Sequence, residues 1–169
     1  TPQRVALGKA LFFETRVSND GRLGCATCHN PAFYGADALA LSVGVNGTVG
    51  RRQSMALVNL GWQQFFFWDG RAKTLEEQIL QPVPDPTEMH LQWKEAQKRL
   101  ENDLEYKRLF VKAFGTQFID STYVAKAIAQ FLRTMISANS KYDVMYKYAN
   151  NMQLTPSEYQ IYQTVSIQE

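Results

Sequence analysis

The chain has 169 residues, 45% of them apolar and 20% charged, with a net charge of +2. These are ordinary values for a globular domain with one well-buried core. Charges of both signs are interspersed with no basic patch, which argues against a nucleic-acid partner, and no apolar run approaches the ~18 residues of a membrane-spanning helix. The longest such run, Phe65-Phe66-Phe67-Trp68, is far shorter. Thr1-Pro2-Gln3-Arg4 reads as the mouth of a helix and not as a charged leader, which is neutral about compartment.

In chain order, Thr1 is expected to cap a first helix with Pro2 at its first position. Val5, Leu7, Leu11 and Phe12 form its apolar stripe, and it should stop near Glu14-Thr15. Ser18-Asn19-Asp20-Gly21 is turn chemistry. Residues 30–53 hold Pro31, several glycines and few periodic apolar positions, and read as a long loop. A structureless loop of that length needs a reason, and a bound cofactor is one. Thr74 with Glu77 forms a capping box that opens a helix at Leu75. Pro82, Pro84 and Pro86 end it and stiffen the connector. Thr87 is expected to cap the next segment.

From Trp93 to Phe114 the pattern is again helical. Leu100, Leu104 and the Leu109/Phe110 pair recur at three-to-five-residue steps, a break near Asn102-Asp103 would make two helices, and Gly115 suits the C′ position. A further helix is expected over Ser121 to Ser137, burying Val124, Ile128, Leu132, Met135 and Ile136. Thr155-Pro156-Ser157-Glu158 is a second capping box and opens a helix toward the end of the chain. No strand-like alternation, repeat or low-complexity tract is present. The expected fold class is all-α with long loops.

Both cysteines and one of the two histidines fall in a single window, Cys25-Ala26-Thr27-Cys28-His29. A disulfide framework would scatter its cysteines. Cys-x-x-Cys-His is the attachment signature of c-type haem. Two thioethers must reach two vinyl groups on one porphyrin edge, and the next residue must bring its imidazole under the iron. Two intervening residues and an adjacent histidine meet both demands in one helical turn. A structural zinc site is weaker, because it wants four ligands and only His90 and carboxylates remain to complete it. A thioredoxin-type redox pair wants a strand–turn–helix setting that is missing. Haem c is attached outside the bacterial inner membrane, so the expected location is periplasmic.

The motif has company. Leu11-Phe12-Phe13, Arg16, Ser18, Asp20-Gly21, Cys25, Cys28-His29 and Pro31 occur in an order that resembles bacterial di-haem cytochrome c peroxidases. The same holds for Gly50-Arg51-Arg52, Asn59, Phe67-Trp68-Asp69-Gly70-Arg71, Leu75-Glu76, Gln78 and Pro86-Thr87-Glu88-Met89. The family includes the related tryptophan-tryptophylquinone maturation enzymes. The resemblance spans nearly the whole chain and implies a cytochrome c-like haem domain. Residues 1–154 then form an N-terminal, peroxidatic haem domain, and 155–169 the first helix of a truncated second cytochrome c domain. A second haem and calcium are expected only in a longer protein.

By that resemblance Cys25 and Cys28 anchor haem c and His29 ligates its iron. Glu88 matches the distal acid–base residue, Trp68 the aromatic residue between the two haems, and Gln78 and Pro82 further residues of the distal pocket. On residue type alone, Glu88 would be a solvated surface carboxylate and Trp68 a core aromatic. Arg51 and Arg52 suit haem propionates, since guanidinium pairs with carboxylate bidentately; surface arginine is the alternative.

Three positions depart from the pattern. Val45 stands where many of these peroxidases have a second histidine ligand, so the iron is expected to be five-coordinate or water-bound at rest. His90 is the one histidine that could restore six-coordination, but a surface place suits it better. Gln53 stands where the family usually has an asparagine that helps hold calcium, which puts that ion in doubt. Met55 replaces a usual proline and is expected to fill the core.

The resemblance implies reduction of hydrogen peroxide to water, with electrons from a small cytochrome c or cupredoxin. The alternatives are oxidation of a protein side chain by a related di-haem enzyme, and simple electron transfer. The expected partners include no nucleic acid and no membrane span, and the resemblance leaves room for a homodimer.

Overall fold

The computed structural model describes residues 1–166, with side chains through Thr164; residues 167–169 of the C-terminal segment lie outside the described residues. Among the described residues there is no β-strand, only isolated bridges such as Asn30 with Ala36 and Phe66 with Ala72. Two compact units are present, Thr1–Met135 and a second beginning at Ile136.

The first unit is built on helix α1 (Pro2–Phe12). The Thr1 hydroxyl accepts from the Arg4 N–H at 3.5 Å, and Pro2 starts the helix with its preset φ. Leu7, Gly8, Leu11 and Phe12 are buried, whereas Val5 is only half-buried. Helix α6 (Ser121–Leu132), capped by Asp120 accepting from the Tyr123 N–H at 3.0 Å, lies directly on α1. The approach is close because Gly8 has no side chain. A Cβ there would sit 2.0 Å from the Ala127 carbonyl oxygen.

Helices α4 (Trp93–Glu101) and α5 (Leu104–Phe114) are separated at Asn102-Asp103, where Asp103 caps α5 by accepting from the Glu105 N–H at 2.8 Å. Phe110 is fully buried, a placement that contributes about 1.5–3 kcal/mol by area. Tyr106 donates its hydroxyl to the Ala10 carbonyl at 3.3 Å, which fixes α5 across α1. Helix α3 (Leu75–Ile79) lies on α6, joined by Arg133 to both carboxylate oxygens of Glu76 at 2.7 and 3.0 Å. A single turn, α2 (Cys25–Cys28), carries the cysteines.

Several expectations need correction. Leu104 is 70% exposed, because the break before it resets the helical phase; Tyr106, Phe110 and Ala113 face the core of α5 instead. Helix α6 ends at Leu132, so Met135 is only half-buried and Ile136 is exposed. Thr87 caps no helix: its hydroxyl and N–H both donate to Asp85 at 2.7 Å, and α4 begins after Gln92 without a side-chain cap. The Glu77 N–H does bond the Thr74 hydroxyl, but the Glu77 carboxylate turns back to the N–H of Lys73.

The second unit contains α7 (Lys141–Ala149) and α8 (Pro156–Ser166). Helix α7 was not expected, although Ser140 and Asp143 form a capping box for it. Helix α8 is capped as expected, with the Glu158 N–H on the Thr155 hydroxyl and the Thr155 N–H on the Glu158 carboxylate. That carboxylate also pairs with Lys147 of α7.

Candidate haem site

The Cys25–Cys28 turn is held by short-range contacts. Gly24 backs onto the chain end of α1, where a Cβ would lie 2.8 Å from the Glu14 carbonyl oxygen, and its N–H donates to the Thr27 hydroxyl at 3.0 Å. Cys25, Cys28 and His29 open onto a cavity of about 580 Å³, within the usual ~300–1,000 Å³ of cofactor sites. Leu11 and Phe12 of α1 and Val124, Ile128 and Leu132 of α6 supply an apolar wall. Polar groups on the other sides come from the loop over 42–57, the Phe67–Arg71 segment and the Pro82–Met89 connector.

Nδ1 of His29 lies 2.7 Å from the Gly35 carbonyl and 3.0 Å from that of Met55. Two carbonyls can only accept, so Nδ1 carries the proton and the lone pair is on Nε2. Burial lowers the His29 pKa, against the opposing pull of those carbonyls and of Asp37. The result is a neutral imidazole with its tautomer fixed, the form that binds a metal. Burial pushes the Cys25 thiol up to about 12, with smaller contributions from Cys28 and Glu88. Burial, then Asp37 and Glu88, push Cys28 up to about 11. Both remain thiols, not bridged as a disulfide.

Glu88 lines the same cavity and is close enough for its charge to act on both thiols. Burial raises its pKa first and Asp85 second, against a lowering by Arg71. It is thus a shielded carboxyl facing the attachment turn, unlike a solvated surface acid. The loop carrying Val45 packs beneath it: the Val45 N–H donates to the Glu88 carbonyl at 2.8 Å, and a Cβ on Gly44 would meet the Thr87 carbonyl oxygen at 2.1 Å. Val45 is buried and does not line the cavity. His90, exposed at φ +50°, does not line it either.

Gln78 and Pro82 both line the cavity. Trp68 is no core residue; it is 63% exposed at the cavity rim, with its indole N–H donating to the Gln53 carbonyl at 3.0 Å. Arg51 and Arg52 also reach the cavity. Arg52 is bound to Asp69 at 2.8 Å, while Arg51 has no ion pair among the described residues. The Gln53 side-chain amide donates to the Asp37 carbonyl at 3.5 Å. Met55 lines the cavity and is only half-buried; its carbonyl, not its thioether, is what reaches His29.

Arg52 belongs to a polar network at the rim. Asp69 joins Arg52 and Arg71, Arg71 donates to Gln81 at 3.0 Å, and its guanidinium lies 3.4 Å from the centroid of Phe67. The Phe67-Trp68-Asp69-Gly70-Arg71 string was visible, but no local rule says which carboxylate and arginine will meet. Among the described residues no three His, Cys, Asp or Glu side chains converge on a metal-binding cluster. The zinc alternative therefore loses its footing, whereas a porphyrin needs one imidazole and two thiols on a cavity wall, which are present. Among the described residues no helix is long and apolar enough to cross a membrane.

A sequence profile described as di-haem cytochrome c peroxidase matches residues 2–151. The methylamine utilization protein MauG of Methylorubrum extorquens is 41% identical over 144 residues, covering 85% of this chain and 41% of that protein. A cytochrome c551 peroxidase of Nitrosomonas europaea is 36% identical over 137 residues, covering 81% of this chain and 41% of its own. A crystal structure of a MauG-like protein associated with microbial copper homeostasis superposes with a TM-score of 0.80 at 30% identity, covering 92% of this chain and 46% of the other. The diheme peroxidase BthA of Burkholderia thailandensis gives 0.77 at 26% identity, with 92% and 44% covered. The chain thus spans less than half the length of these relatives.

Proposed function

This chain belongs to the di-haem cytochrome c peroxidase family, and from that premise we propose that residues 1–154 form the peroxidatic haem domain of a periplasmic enzyme that reduces hydrogen peroxide to water. Residues 155–169 would open the second haem domain. Haem c, when bound, supplies the redox iron; the remaining work falls to the chain. Cys25 and Cys28 would anchor the porphyrin as thioethers, His29 would ligate through Nε2, and Arg51 would pair with a propionate. Gln78 and Pro82 would shape the peroxide side of the cavity.

Glu88 carries the proposal. Reduction of peroxide consumes two electrons and two protons and breaks the O–O bond. The Glu88 carboxylate takes a proton from one peroxide oxygen and returns it to the oxygen that leaves as water. Burial first and Asp85 second raise its pKa, which eases return of the proton to the leaving oxygen. The electrons would come from a small cytochrome c or cupredoxin through the second domain, with Trp68 at the rim where that domain would abut.

The test is Glu88→Gln in the complete, haem-loaded protein, assayed with peroxide and a reduced donor. Turnover should fall by on the order of 10²-fold or more, with haem content and fold unchanged. Unchanged turnover would refute the acid–base role. Oxidation of a protein side chain is the second reading, since the tryptophylquinone-forming enzymes that the sequence resembles similarly lack a histidine at the position of Val45; it requires peroxide to be consumed without the small donor.

A further inference from the structure

The two carbonyls on Nδ1 of His29 come from segments distant in sequence that run side by side. The Leu57 N–H donates to the Tyr34 carbonyl at 3.0 Å. Gly35 has no room for a side chain: its φ is +77°, and a Cβ would lie 2.8 Å from the Cβ of Leu57. One carboxylate fastens the two segments beside those carbonyls. Oδ2 of Asp37 accepts from the Ser42 hydroxyl at 2.6 Å and from the Ser54 hydroxyl at 3.0 Å. The Ser54 N–H donates to the Ser42 hydroxyl at 2.9 Å. Asp37 follows Gly35 by two positions, and Ser54 adjoins Met55. All three side chains are half-buried, and Ser42 and Ser54 also border the cavity.

We propose that Asp37, acting through Ser42 and Ser54, is a positioning residue that clips the Gly35 and Met55 carbonyls onto Nδ1 of His29 and so sets how strongly that imidazole donates to iron. The inference rests on the reading of His29 as iron ligand. A hydrogen bond to Nδ1–H fixes the ring orientation and raises the basicity of the other nitrogen. Slack in the two segments would lengthen and bend both bonds, which weaken steeply away from their preferred geometry. A more basic imidazole favours ferric iron, so the intact clip holds the reduction potential down.

The experiment compares the complete, haem-loaded protein with the Ser42→Ala/Ser54→Ala double variant and with Ser54→Thr. These changes leave the charge of the site untouched. In the double variant the iron–histidine stretching band of the ferrous protein should move to lower frequency, and the potential of this haem should rise. Ser54→Thr, which keeps the hydroxyl, should hold both near their original values. A folded, haem-loaded double variant with both readouts unshifted would overturn the clip. If the double variant fails to fold, Ser54→Ala alone is read the same way, and no shift there has the same force. A five-coordinate ferrous haem without an iron–histidine band in the unaltered protein would instead overturn the ligand assignment, and the clip with it.

Discussion

At the scale of single residues, chemistry depends on which groups share the cavity and how each is shielded. Glu88 is active as a base only when ionised, and its pKa is raised by burial and then by Asp85. Peroxide turnover should therefore fall on the acid side of a pKa above the ordinary carboxylate range. Asp85→Asn keeps an acceptor for Thr87 but removes the like charge, so the acid limb of the profile should move to lower pH; an unmoved limb would assign it to another group. Val45 is buried outside the cavity and has no ligating atom. The ferric spectrum of this haem should accordingly be high-spin, and a low-spin, six-coordinate spectrum would contradict the open iron face. The grouping of Cys25, Cys28 and His29 on one cavity wall was legible in the sequence because the three lie in one short window. The Met55 carbonyl and the Asp37, Ser42 and Ser54 cluster were not, because main-chain acceptors and contacts between distant segments leave no signature at fixed spacing.

Helices were legible where a capping signal opened them, as in α1, α3 and α8. The register failed where the chain interrupts itself: the break at Asn102-Asp103 turned Leu104 outward. Helix α7 escaped notice because its aromatic-rich stretch buries only Val144 and offers little periodicity beyond its Ser140–Asp143 box. The α1–α6 contact makes a direct prediction. Gly→Ala inside a helix usually stabilises by about 0.5–1 kcal/mol. At Gly8 the added methyl would meet the Ala127 backbone, and overpacking of this kind costs about 1–3 kcal/mol. Gly8→Ala should thus destabilise the protein in denaturant titrations; a gain in stability would mean the helices can separate freely.

Helix α8 offers a pH test. Lys147 first, then the Thr155 N–H and hydroxyl, hold the Glu158 carboxyl down to about 2. A depressed carboxylate contributes stability above its unfolded pKa and loses it as pH falls through the folded value. Amide-exchange protection of α8 should therefore decline between about pH 5 and about 2, the window set by those two values. Lys147→Met should flatten that dependence, and a flat profile in the unaltered protein would remove the ion pair from the account.

Across the molecule, the apolar cavity and the long loop around it make sense together. The all-α class was readable from helical patterns without strand alternation, and the long loop of 30–53 from Pro31, its glycines and its lack of apolar period. The enclosure was not, because it depends on α1, α6 and three loop segments closing around one space. A ligand that binds only the folded form stabilises it by mass action, and a covalent one cannot dissociate. Protein made without haem-attachment machinery should melt at a lower temperature than the haem-loaded form, with amide exchange of residues 30–71 accelerated; equal melting temperatures would mean the cavity does not depend on its occupant.

The most direct test is made on protein produced with that machinery, unfolded in denaturant and weighed by mass spectrometry. The mass of haem should stay with the chain after acidic organic extraction and map to the peptide containing Cys25 and Cys28. It should be lost from the Cys25→Ala/Cys28→Ala variant. Haem that extracts freely, or a chain that matures without it, would contradict the claim on which the rest is built.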